Sequence, residues 1–362
     1  MEKINVLYIV PSLNVVDGIS SYAMNYYRNM KNISVDFLIT STLDETEYSK
    51  EVINSGNKVY YIKSNEIKNI HSTCKKIDVF FKEKAHSYDI VHCHVASLGV
   101  FYLYYAKKYG IAIRIIHSHA TKSADTLLHK IRNDISSVLT INFATDYAAC
   151  SIAAGEALFG NKKFEMVRNG IDVQKFSFSL ETRTKYRKLL NIEDKFVIGT
   201  VGRLCNQKNQ SFLIGVALEL KKMKQNFVII IVGNGPLQGT LTDLIAENQL
   251  EDYIMLLGKR NDVKELYNAM DIFVLPSLFE GLPIVGIEAQ CNGLKCIFSD
   301  QITREVNVSN DCSFLEIDKD NRWAQELLKY IGAERKEYDM SEYNIKNCSE
   351  KLEQYYFKML ER

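Results

Sequence analysis

Apolar residues along the chain follow two patterns, short uninterrupted runs and longer stretches in which they recur every three or four positions. The runs are typical of buried β-strands, and the longer stretches are typical of amphipathic helices. In the first half the runs predict strands at Ile4–Val10, Val35–Ile39, Lys58–Ile62, Asp89–Cys93, Ile111–His117 and Tyr147–Cys150. The stretches between them predict helices at Ile19–Met30, Asn69–Lys82, Leu98–Lys108 and Asp125–Ile141.

The same alternation begins again in the second half of the chain. It predicts strands at Phe196–Val201, Phe227–Val232, Tyr253–Leu257, Asp271–Leu275 and Lys295–Phe298. The intervening helices are expected at Gln207–Met223, Pro236–Asn248, Val263–Met270 and Pro283–Asn292. A last helical pattern covers Ser341–Leu360.

Fully apolar strands that are each followed by a helix indicate parallel βαβ units. A polar, charged stretch around Asp172–Asn191 separates the two halves, so we place the domain boundary near residue 175. We predict an α/β protein with two Rossmann-like, doubly wound domains, 1–175 and 176–340, and a C-terminal helix over 341–362. Ligands of such sheets bind beyond the carboxyl ends of the strands, which predicts a site in a cleft where the two domains face each other.

The composition excludes several classes of protein. Four prolines in 362 residues, where average usage gives about 18, exclude a proline-rich linker or a collagen-like chain. A net charge of +1 disfavours a nucleic-acid binder. No apolar run is long enough to span a bilayer, and the first run reads as a buried strand rather than a signal peptide. Eight cysteines without metal-site spacing are typical of reduced thiols in a cytosolic protein.

The segment that follows the predicted strand Asp271–Leu275 carries the strongest candidate chemistry. Glu280 lies in the loop, Pro283 suits the first turn of a helix, and Glu288 comes about a turn later. Free amides near Ile284 would favour an anion, whereas the two carboxylates suit the hydroxyls of a sugar or a ribose. The alternative is a capping glutamate and a surface glutamate that bind no ligand.

A second candidate follows the predicted strand Phe196–Val201. Gly202 ends this strand, and Arg203 and Lys208 follow before the next helix. The two cations can hold a diphosphate, arginine as a fork and lysine as a point charge. Cations are disfavoured at a helix N-terminus without a bound anion. The alternative is a pair of surface cations.

A third turn, after Phe227–Val232, is rich in glycine. Gly233 and Gly235 begin a dinucleotide-like pattern, but Gly239 comes one position too late for it. We therefore interpret the segment as a tight strand-to-helix turn beside the site, with Pro236 in the first helical position, rather than as an NAD site.

In the first half, Gly18 opens a helix, where it would let the backbone approach a ligand or would form an ordinary turn. Two His-x-His pairs, His92 with His94 and His117 with His119, lie at strand ends. Neutral imidazoles bind zinc, but no cysteine or carboxylate spacing supports such a site, so we predict no metal. His119, the last residue out of its strand, is the candidate for contact with a ligand hydroxyl.

Taken in order, these motifs resemble the retaining nucleotide-sugar glycosyltransferases of family 4, which have the GT-B fold. The resemblance covers nearly the whole chain, is strong over residues 168–300 and is diffuse before them. The strand end at His117 and His119 is similar to that of bacterial exopolysaccharide and capsule members. Asp17 stands before Gly18 where members often have a second glycine. The motifs that carry the resemblance are Asn169-Gly170-Ile171-Asp172, Gly202-Arg203, Lys208-Asn209, Gly233-Asn234-Gly235-Pro236, Pro276-Ser277 and the pair Glu280 and Glu288.

The resemblance implies roles for the matched residues. Arg203 and Lys208 would hold the donor diphosphate, and Glu288 would hold the ribose hydroxyls. His119 would touch the donor sugar near its C6 hydroxyl, and Glu280 would meet the same sugar. The other implied donor contacts are Gly18, Gly202, Gly233, Arg260 near the base, and the backbone of Gly281, Leu282, Pro283 and Ile284. The implied catalytic group is Glu280, His119, Arg203 and Lys208.

The implied reaction moves a sugar, with retention, from a nucleotide-sugar to a saccharide acceptor, which we expect to be lipid-linked, in surface polysaccharide synthesis. UDP is the expected donor nucleotide and GDP stays open. The first domain would bind the acceptor and the last helix would cross back to it. The two cations and the helix end would stabilise charge without a metal, and no cofactor is expected.

The charge of the first half adds an expectation about location. Residues 1–170 carry 20 Lys+Arg and 16 Asp+Glu, a net charge of +4. The stretch Leu127–Ile141, with Lys130 and Arg132, is basic and apolar. We therefore expect a cytoplasmic protein with peripheral contact to an anionic inner membrane face. The alternative, which explains the small charge excess about as well, is an ordinary solvated surface.

Three other functions remain open at this point. A nucleotide-sugar 2-epimerase shares the GT-B architecture and would act on the donor alone. An NAD-dependent dehydrogenase is disfavoured by the broken glycine pattern. A non-catalytic sugar-nucleotide binder predicts that Glu280→Ala leaves biological activity intact.

Overall fold

A computed structural model of the chain describes residues 3–14, 17–41, 44–63, 70–120 and 136–362. The chain divides into two compact units. The first contains the described residues up to Gly170 together with Asn344–Arg362, and the second is Ile171–Tyr343.

The first unit is built on a parallel sheet. Among its described residues, the strands are β1 (Ile4–Val10), β2 (Ile33–Ile39), β3 (Val59–Tyr61), β4 (Ile90–Cys93), β5 (Ile113–Ser118), β6 (Asp146–Ala149) and β7 (Glu165–Met166). Their order is β3-β2-β1-β4-β5-β6-β7. The helices are α1 (Gly18–Asn29), α2 (Glu47–Asn54), α3 (Ile70–Lys84), α4 (Gly99–Lys108), α5 (136–143 in the described part) and α6 (Ile152–Phe159).

The second unit repeats this plan. Its strands are β8 (Phe196–Val201), β9 (Phe227–Val232), β10 (Ile254–Gly258), β11 (Ile272–Leu275), β12 (Lys295–Ser299) and β13 (Cys312–Leu315), in the order β10-β9-β8-β11-β12-β13. Its helices are α7 (Val173–Phe176), α8 (Leu180–Leu190), α9 (Phe212–Lys222), α10 (Gln238–Glu247), α11 (Val263–Ala269), α12 (Ile284–Cys291) and α13 (Asp320–Leu328).

Strand order reverses once in each sheet. The chain leaves β1 toward β2 on one side, whereas β4 lies on the other side of β1. In the second sheet β8 has β9 on one side and β11 on the other. At such a reversal the connecting loops diverge and leave a crevice at the carboxyl edge. The loops after β1, β4, β8 and β11 therefore mark the edges where a ligand is expected.

The last helix, α14 (Ile345–Leu360), belongs to the first unit. The Tyr356 hydroxyl lies 3.0 Å from that of Tyr8 in β1. The Glu353 carboxylate accepts hydrogen bonds from the backbone N–H of Lys31 and from the Asn32 side chain. Apolar side chains of α14, such as Leu352, are buried against this unit, and these contacts attach the C-terminus to the first sheet.

Several sequence predictions of secondary structure need correction. The polar stretch Asp172–Asn191 is not a plain connection, because it forms α7 and α8. Its helical pattern was hidden because buried positions are charged: Arg183 and Arg187 both bind the Asp271 carboxylate. The other elements that the apolar pattern missed are α2, α6, α13, β7 and β13.

Three smaller predictions near the candidate site were also wrong. The helix predicted to begin at Gln207 begins only at Phe212, as α9. The residues Asn206–Lys208 form a separate 3₁₀ turn. Pro236 lies in a turn before α10, which begins at Gln238. Pro283 caps α12 rather than lying in its first turn. Of the predicted helix Asp125–Ile141, residues up to 135, with Lys130 and Arg132, lie outside the described residues.

Among the described residues, no helix combines the length and the apolar character that crossing a bilayer requires.

Candidate functional site

The loops that follow β8 and β11 are joined by an ion pair and by hydrogen bonds. The Lys208 ammonium lies 2.5 Å from a Glu280 carboxylate oxygen. The Gln207 side-chain amide donates to the Phe279 carbonyl at 3.0 Å. The Leu278 backbone N–H donates to the Gln207 carbonyl at 2.8 Å. We call these residues, 207–208 with 278–280, the loop latch.

The ion pair of the loop latch is largely shielded from water. The Lys208 and Glu280 side chains are 16% and 9% exposed. A carboxylate in such a position needs a cationic partner, because removal of one charge from a buried pair leaves the other desolvated and uncompensated. The two predicted site residues are therefore each other's partners, and a bound phosphate would share the Lys208 ammonium with Glu280.

Glu288 lies on α12 and faces a buried tyrosine. The Tyr267 hydroxyl, from α11, donates to the Glu288 carboxylate at 2.8 Å. Desolvation raises the pKa of Glu288 to about 7, and the hydrogen bond from Tyr267 opposes that rise. The pKa of Tyr267 is also raised, first by burial and then by the neighbouring carboxylate. The Glu288 carboxyl group can therefore change its charge near neutral pH.

The N-terminus of α12 lies between the two glutamates in sequence. The residues before and at its start, Gly281 to Ile284, are buried. The Pro283 carbonyl accepts a hydrogen bond from the Gly286 amide at 3.0 Å, so the Gly286 amide is not available to an anion. The amides of Ile284 and Val285 belong to the first helical turn, which has no acceptor within the helix.

Arg203 and Gly202 follow β8 as predicted. The Arg203 side chain is exposed, and its carbonyl accepts a hydrogen bond from Gln210 at 3.1 Å, which fixes the backbone there. A Cβ on Gly202 would lie 3.5 Å from the Lys208 side chain, an ordinary contact distance. The aliphatic part of Lys208 thus packs over Gly202, while the Arg203 side chain is exposed to solvent.

Gly233 and Gly235 have a steric explanation. Gly233 has φ +137°, and a Cβ there would lie 2.0 Å from the Gly202 carbonyl oxygen. A Cβ on Gly235 would lie 2.3 Å from the Leu204 carbonyl oxygen. The glycines therefore let the turn after β9 pack directly on the backbone after β8, which supports the interpretation as a tight turn.

Arg260 is already engaged within its own loop. Its guanidinium makes a two-pronged contact with Asp262, with Nε–Oδ1 and Nη2–Oδ2 distances of 2.8 and 2.6 Å. The Tyr186 hydroxyl donates to the same carboxylate at 3.0 Å. These bonds engage Nε and Nη2 of the guanidinium and orient the Arg260 side chain within its own loop.

In the first unit, the four histidines at the ends of β4 and β5 come together. We call them, His92, His94, His117 and His119, the histidine stack. The rings of His117 and His119 stack at 4.1 Å between centroids, and those of His92 and His94 at 4.4 Å. His92, His94 and His117 are buried, whereas His119 is half-buried. Burial lowers the pKa of all four imidazoles, that of His92 to about 3, so the rings are neutral at pH 7.

Gly18 is the first residue of α1, directly after its cap. The Asp17 carboxylate accepts a hydrogen bond from the Ile19 amide at 3.1 Å. A Cβ on Gly18 would meet nothing within 4 Å. Asp17 therefore caps α1 at the position where members of the resembled family often have a second glycine, and among the described residues no atom lies within 4 Å of a Cβ at Gly18.

Some residues of the site were missed by sequence reasoning. Gln207 and Tyr267 contact the two glutamates, and Tyr356 donates to or accepts from His92 Nδ1 at 2.6 Å. Gln207 directly precedes Lys208, and its place beside a residue of the matched motif could have marked it as a site residue. Tyr267 and Tyr356 come from helices far along the chain, and no local pattern marks them.

Comparison with known proteins agrees with this architecture. HepE from Anabaena, in a crystal structure with UDP-glucose, superposes with a TM-score of 0.76 at 16% identity and covers 99% of both chains. Two Rossmann-like units, each built on a parallel sheet, are the architecture of the GT-B class, and the fold prediction is confirmed.

Proteins of similar sequence show to which family within the GT-B class the chain belongs. The family described as "Glycosyl transferases group 1" matches residues 182–347. The putative glycosyltransferase EpsF of Bacillus subtilis is 31% identical over 311 residues, 83% of this chain and 80% of EpsF. The Escherichia coli UDP-Gal:alpha-D-GlcNAc-diphosphoundecaprenol alpha-1,3-galactosyltransferase is 28% identical over 299 residues, 79% of this chain and 75% of that enzyme.

The chain belongs to the group 1 glycosyl transferases. The predicted resemblance to family 4 members of bacterial exopolysaccharide synthesis is thereby confirmed. The protein is a glycosyltransferase with relatives in bacterial polysaccharide biosynthesis.

Proposed function

We propose that the protein transfers a hexose from a UDP-sugar to a lipid-linked saccharide, with retention of the anomeric configuration, in the synthesis of an exopolysaccharide or capsule. The observation that carries the proposal is the loop latch, in which Lys208 and Glu280 meet at the strand reversal of the second sheet. A cation and a carboxylate side by side suit a ligand that carries both phosphate and hydroxyl groups.

In this proposal the second unit binds the donor. Lys208 and Arg203 hold the diphosphate, with the amides of Ile284 and Val285 as further donors. Glu288 accepts the ribose hydroxyls, and Glu280 with the backbone of 281–284 meets the sugar. The first unit binds the acceptor, and the resemblance assigns ligand contacts there to Gly18 and His119.

The proposed reaction proceeds on one face of the sugar. The bond between the anomeric carbon and the diphosphate oxygen breaks while the acceptor oxygen bonds to the same face. The leaving phosphate takes the acceptor's proton, so no protein nucleophile is required. Lys208, Arg203 and the helix end stabilise the charge that develops on the diphosphate, and the diphosphate needs no metal ion.

The names of the relatives support the donor and the acceptor. The Escherichia coli relative uses UDP-Gal and a diphosphoundecaprenol-linked sugar. A Campylobacter jejuni relative, 29% identical over 169 residues, also acts on a diphospho-undecaprenol saccharide. HepE was crystallised with UDP-glucose.

Product analysis tests the proposed reaction. With a panel of UDP- and GDP-hexoses and polyprenyl-diphosphate saccharides, we expect transfer from a UDP-hexose, and NMR of the product should show the donor's anomeric configuration. Turnover and donor affinity should be unchanged in EDTA, because the cationic side chains Lys208 and Arg203 stabilise the negative charge of the diphosphate without a metal ion.

The same assay separates the alternatives. Conversion of the donor to its 2-epimer without acceptor would favour an epimerase, and a thermal shift with NAD alone would favour a dehydrogenase. Donor binding without any product would leave a non-catalytic binder. An inverted product, or loss of donor affinity in EDTA that one metal restores, would contradict the proposed mechanism.

We also propose that the protein works at the inner membrane face, supported by the net charge of +4 on residues 1–170. Basic surfaces are attracted to anionic lipid at low ionic strength. The protein should sediment with anionic vesicles in low salt, remain in solution with neutral vesicles, and be released by about 0.5 M salt. If it stays in the supernatant with anionic vesicles at low salt, peripheral membrane contact is excluded.

A further inference from the structure

Two imidazole nitrogens in the histidine stack have no hydrogen-bond partner. Nε2 of His94 and Nε2 of His117 are both buried and unbonded among the described residues. A buried polar atom without a partner costs about 1–3 kcal/mol, so such atoms are rare unless something outside the chain satisfies them. The two orphaned atoms lie on neighbouring rings, whose centroids are 5.2 Å apart.

The other ring nitrogen of each histidine is already bonded. His94 Nδ1 lies 2.9 Å from His119 Nε2, and His117 Nδ1 lies 3.1 Å from His92 Nε2. A hydrogen bond at one ring nitrogen fixes the tautomer and the orientation of the ring, which is the usual arrangement around a histidine that ligates a metal. The orphaned nitrogens are thus oriented by the protein itself.

Three of these histidines are close enough to share one ion. His92, His94 and His117 each offer a ring nitrogen within 4.8 Å of those of the other two. Zinc binds imidazole nitrogen at about 2.0–2.1 Å, which places tetrahedral ligands roughly 3.4 Å apart. Both ring nitrogens of His92 are already hydrogen-bonded, Nδ1 to Tyr356 and Nε2 to His117, so a metal would replace one of these bonds and draw the rings closer together.

The chemistry of the cluster selects the class of metal. Three nitrogen ligands suit zinc and its late first-row neighbours, whereas magnesium and calcium require oxygen ligands. The aromatic rings of Tyr8 and Tyr22 flank the stack and shield it from water.

We propose that His92, His94 and His117 bind one late first-row divalent metal ion, with Zn²⁺ as the reference ion. The site lies in the first unit and has no part in charge stabilisation at the diphosphate, so it goes beyond the proposed function and does not depend on it. Three protein ligands would leave one position of a four-coordinate ion to be filled by a non-protein ligand.

Metal binding to the untagged full chain tests the proposal. After treatment with a chelator, equilibrium dialysis should show one tight Zn²⁺ per chain, with a Kd below about 1 µM. His94→Gln and His117→Gln should each weaken binding by about 100-fold or more, because each removes a ligand. His71→Gln and His86→Gln, which change exposed histidines of the same unit, should bind Zn²⁺ as the wild type does.

A second measurement needs no variant. Cobalt(II) bound in the stack should give the intense visible absorption of a four-coordinate nitrogen site, and Zn²⁺ should displace it. Wild-type protein that binds neither ion at micromolar concentrations would overturn the proposal, as would unchanged affinity in folded His94→Gln or His117→Gln protein. Donor affinity, measured with a UDP-sugar in EDTA, reports separately on the proposed function.

Discussion

Lys208→Met is expected to lower the transfer rate at subsaturating donor by about a thousandfold and to destabilise the second unit by about 3 kcal/mol. The two effects have different causes. Activity falls because the diphosphate loses its buried cation. Stability falls because the Glu280 carboxylate, which is only 9% exposed, loses the lysine that balances its charge.

A double variant separates these causes. Glu280→Gln alone should also destabilise, since it leaves the Lys208 ammonium unpaired. Lys208→Met combined with Glu280→Gln removes both charges and should regain most of the lost stability, because replacement of a whole buried pair is often close to neutral. Its activity should remain as low as that of the single variants. Urea unfolding and initial rates of transfer measure the two quantities.

The chain supplies a matched control for the ion pair. Lys222 and Glu219 on α9 pair at 2.6 Å, but the lysine is 71% exposed. Lys222→Met should cost less than about 1 kcal/mol and leave transfer unchanged, because exposed pairs contribute little. Near-normal activity in the folded double variant would remove Lys208 and Glu280 from the reaction.

Much of this fold could be predicted from the apolar pattern. Strands such as β1, β8 and β9 were predicted with the bounds that the structure shows, because long β-branched runs between polar turns leave little ambiguity. The failures have physical causes. β7 has only two residues, and α8 turns arginines toward the protein, where they bind Asp271.

The site was predictable only in part. The position of Lys208 and Glu280 after neighbouring strands follows from sheet topology, and sequence alone placed both at one edge. Their direct contact depends on how two loops 72 positions apart are joined, and no spacing encodes that. The same holds for Tyr356, which reaches His92 from the far end of the chain.

Glu288→Gln is expected to weaken donor binding while it stabilises the free protein above pH 7. The pKa of Glu288 is raised from an ordinary value of 4.5 to about 7. Between these two values the folded state holds more protons than the unfolded state. The contribution of this group to stability is therefore full at low pH and is lost as pH rises toward 7. Glutamine has no charge to desolvate and can still accept the Tyr267 hydrogen bond.

Donor binding should show the opposite dependence on pH. Ribose hydroxyls donate more strongly to a carboxylate than to a carboxylic acid, so UDP-sugar affinity should fall as pH drops below 7, by up to about tenfold per pH unit. A UDP-sugar is used because its diphosphate has no proton to gain in this range. Calorimetric titration at several pH values, with thermal melts of the free protein, follows both effects.

Glu288→Gln should bind the UDP-sugar weakly and with little dependence on pH between 6 and 8, because its side chain does not titrate. Glu251→Gln, which changes an exposed glutamate of the same unit, should keep the affinity and the pH profile of the wild type. If Glu288→Gln retains the wild-type affinity together with its fall below pH 7, another group is responsible for that dependence. If its melting temperature above pH 7 also does not rise, the Glu288 carboxyl group is not desolvated in solution, and both its raised pKa and its ribose role are withdrawn.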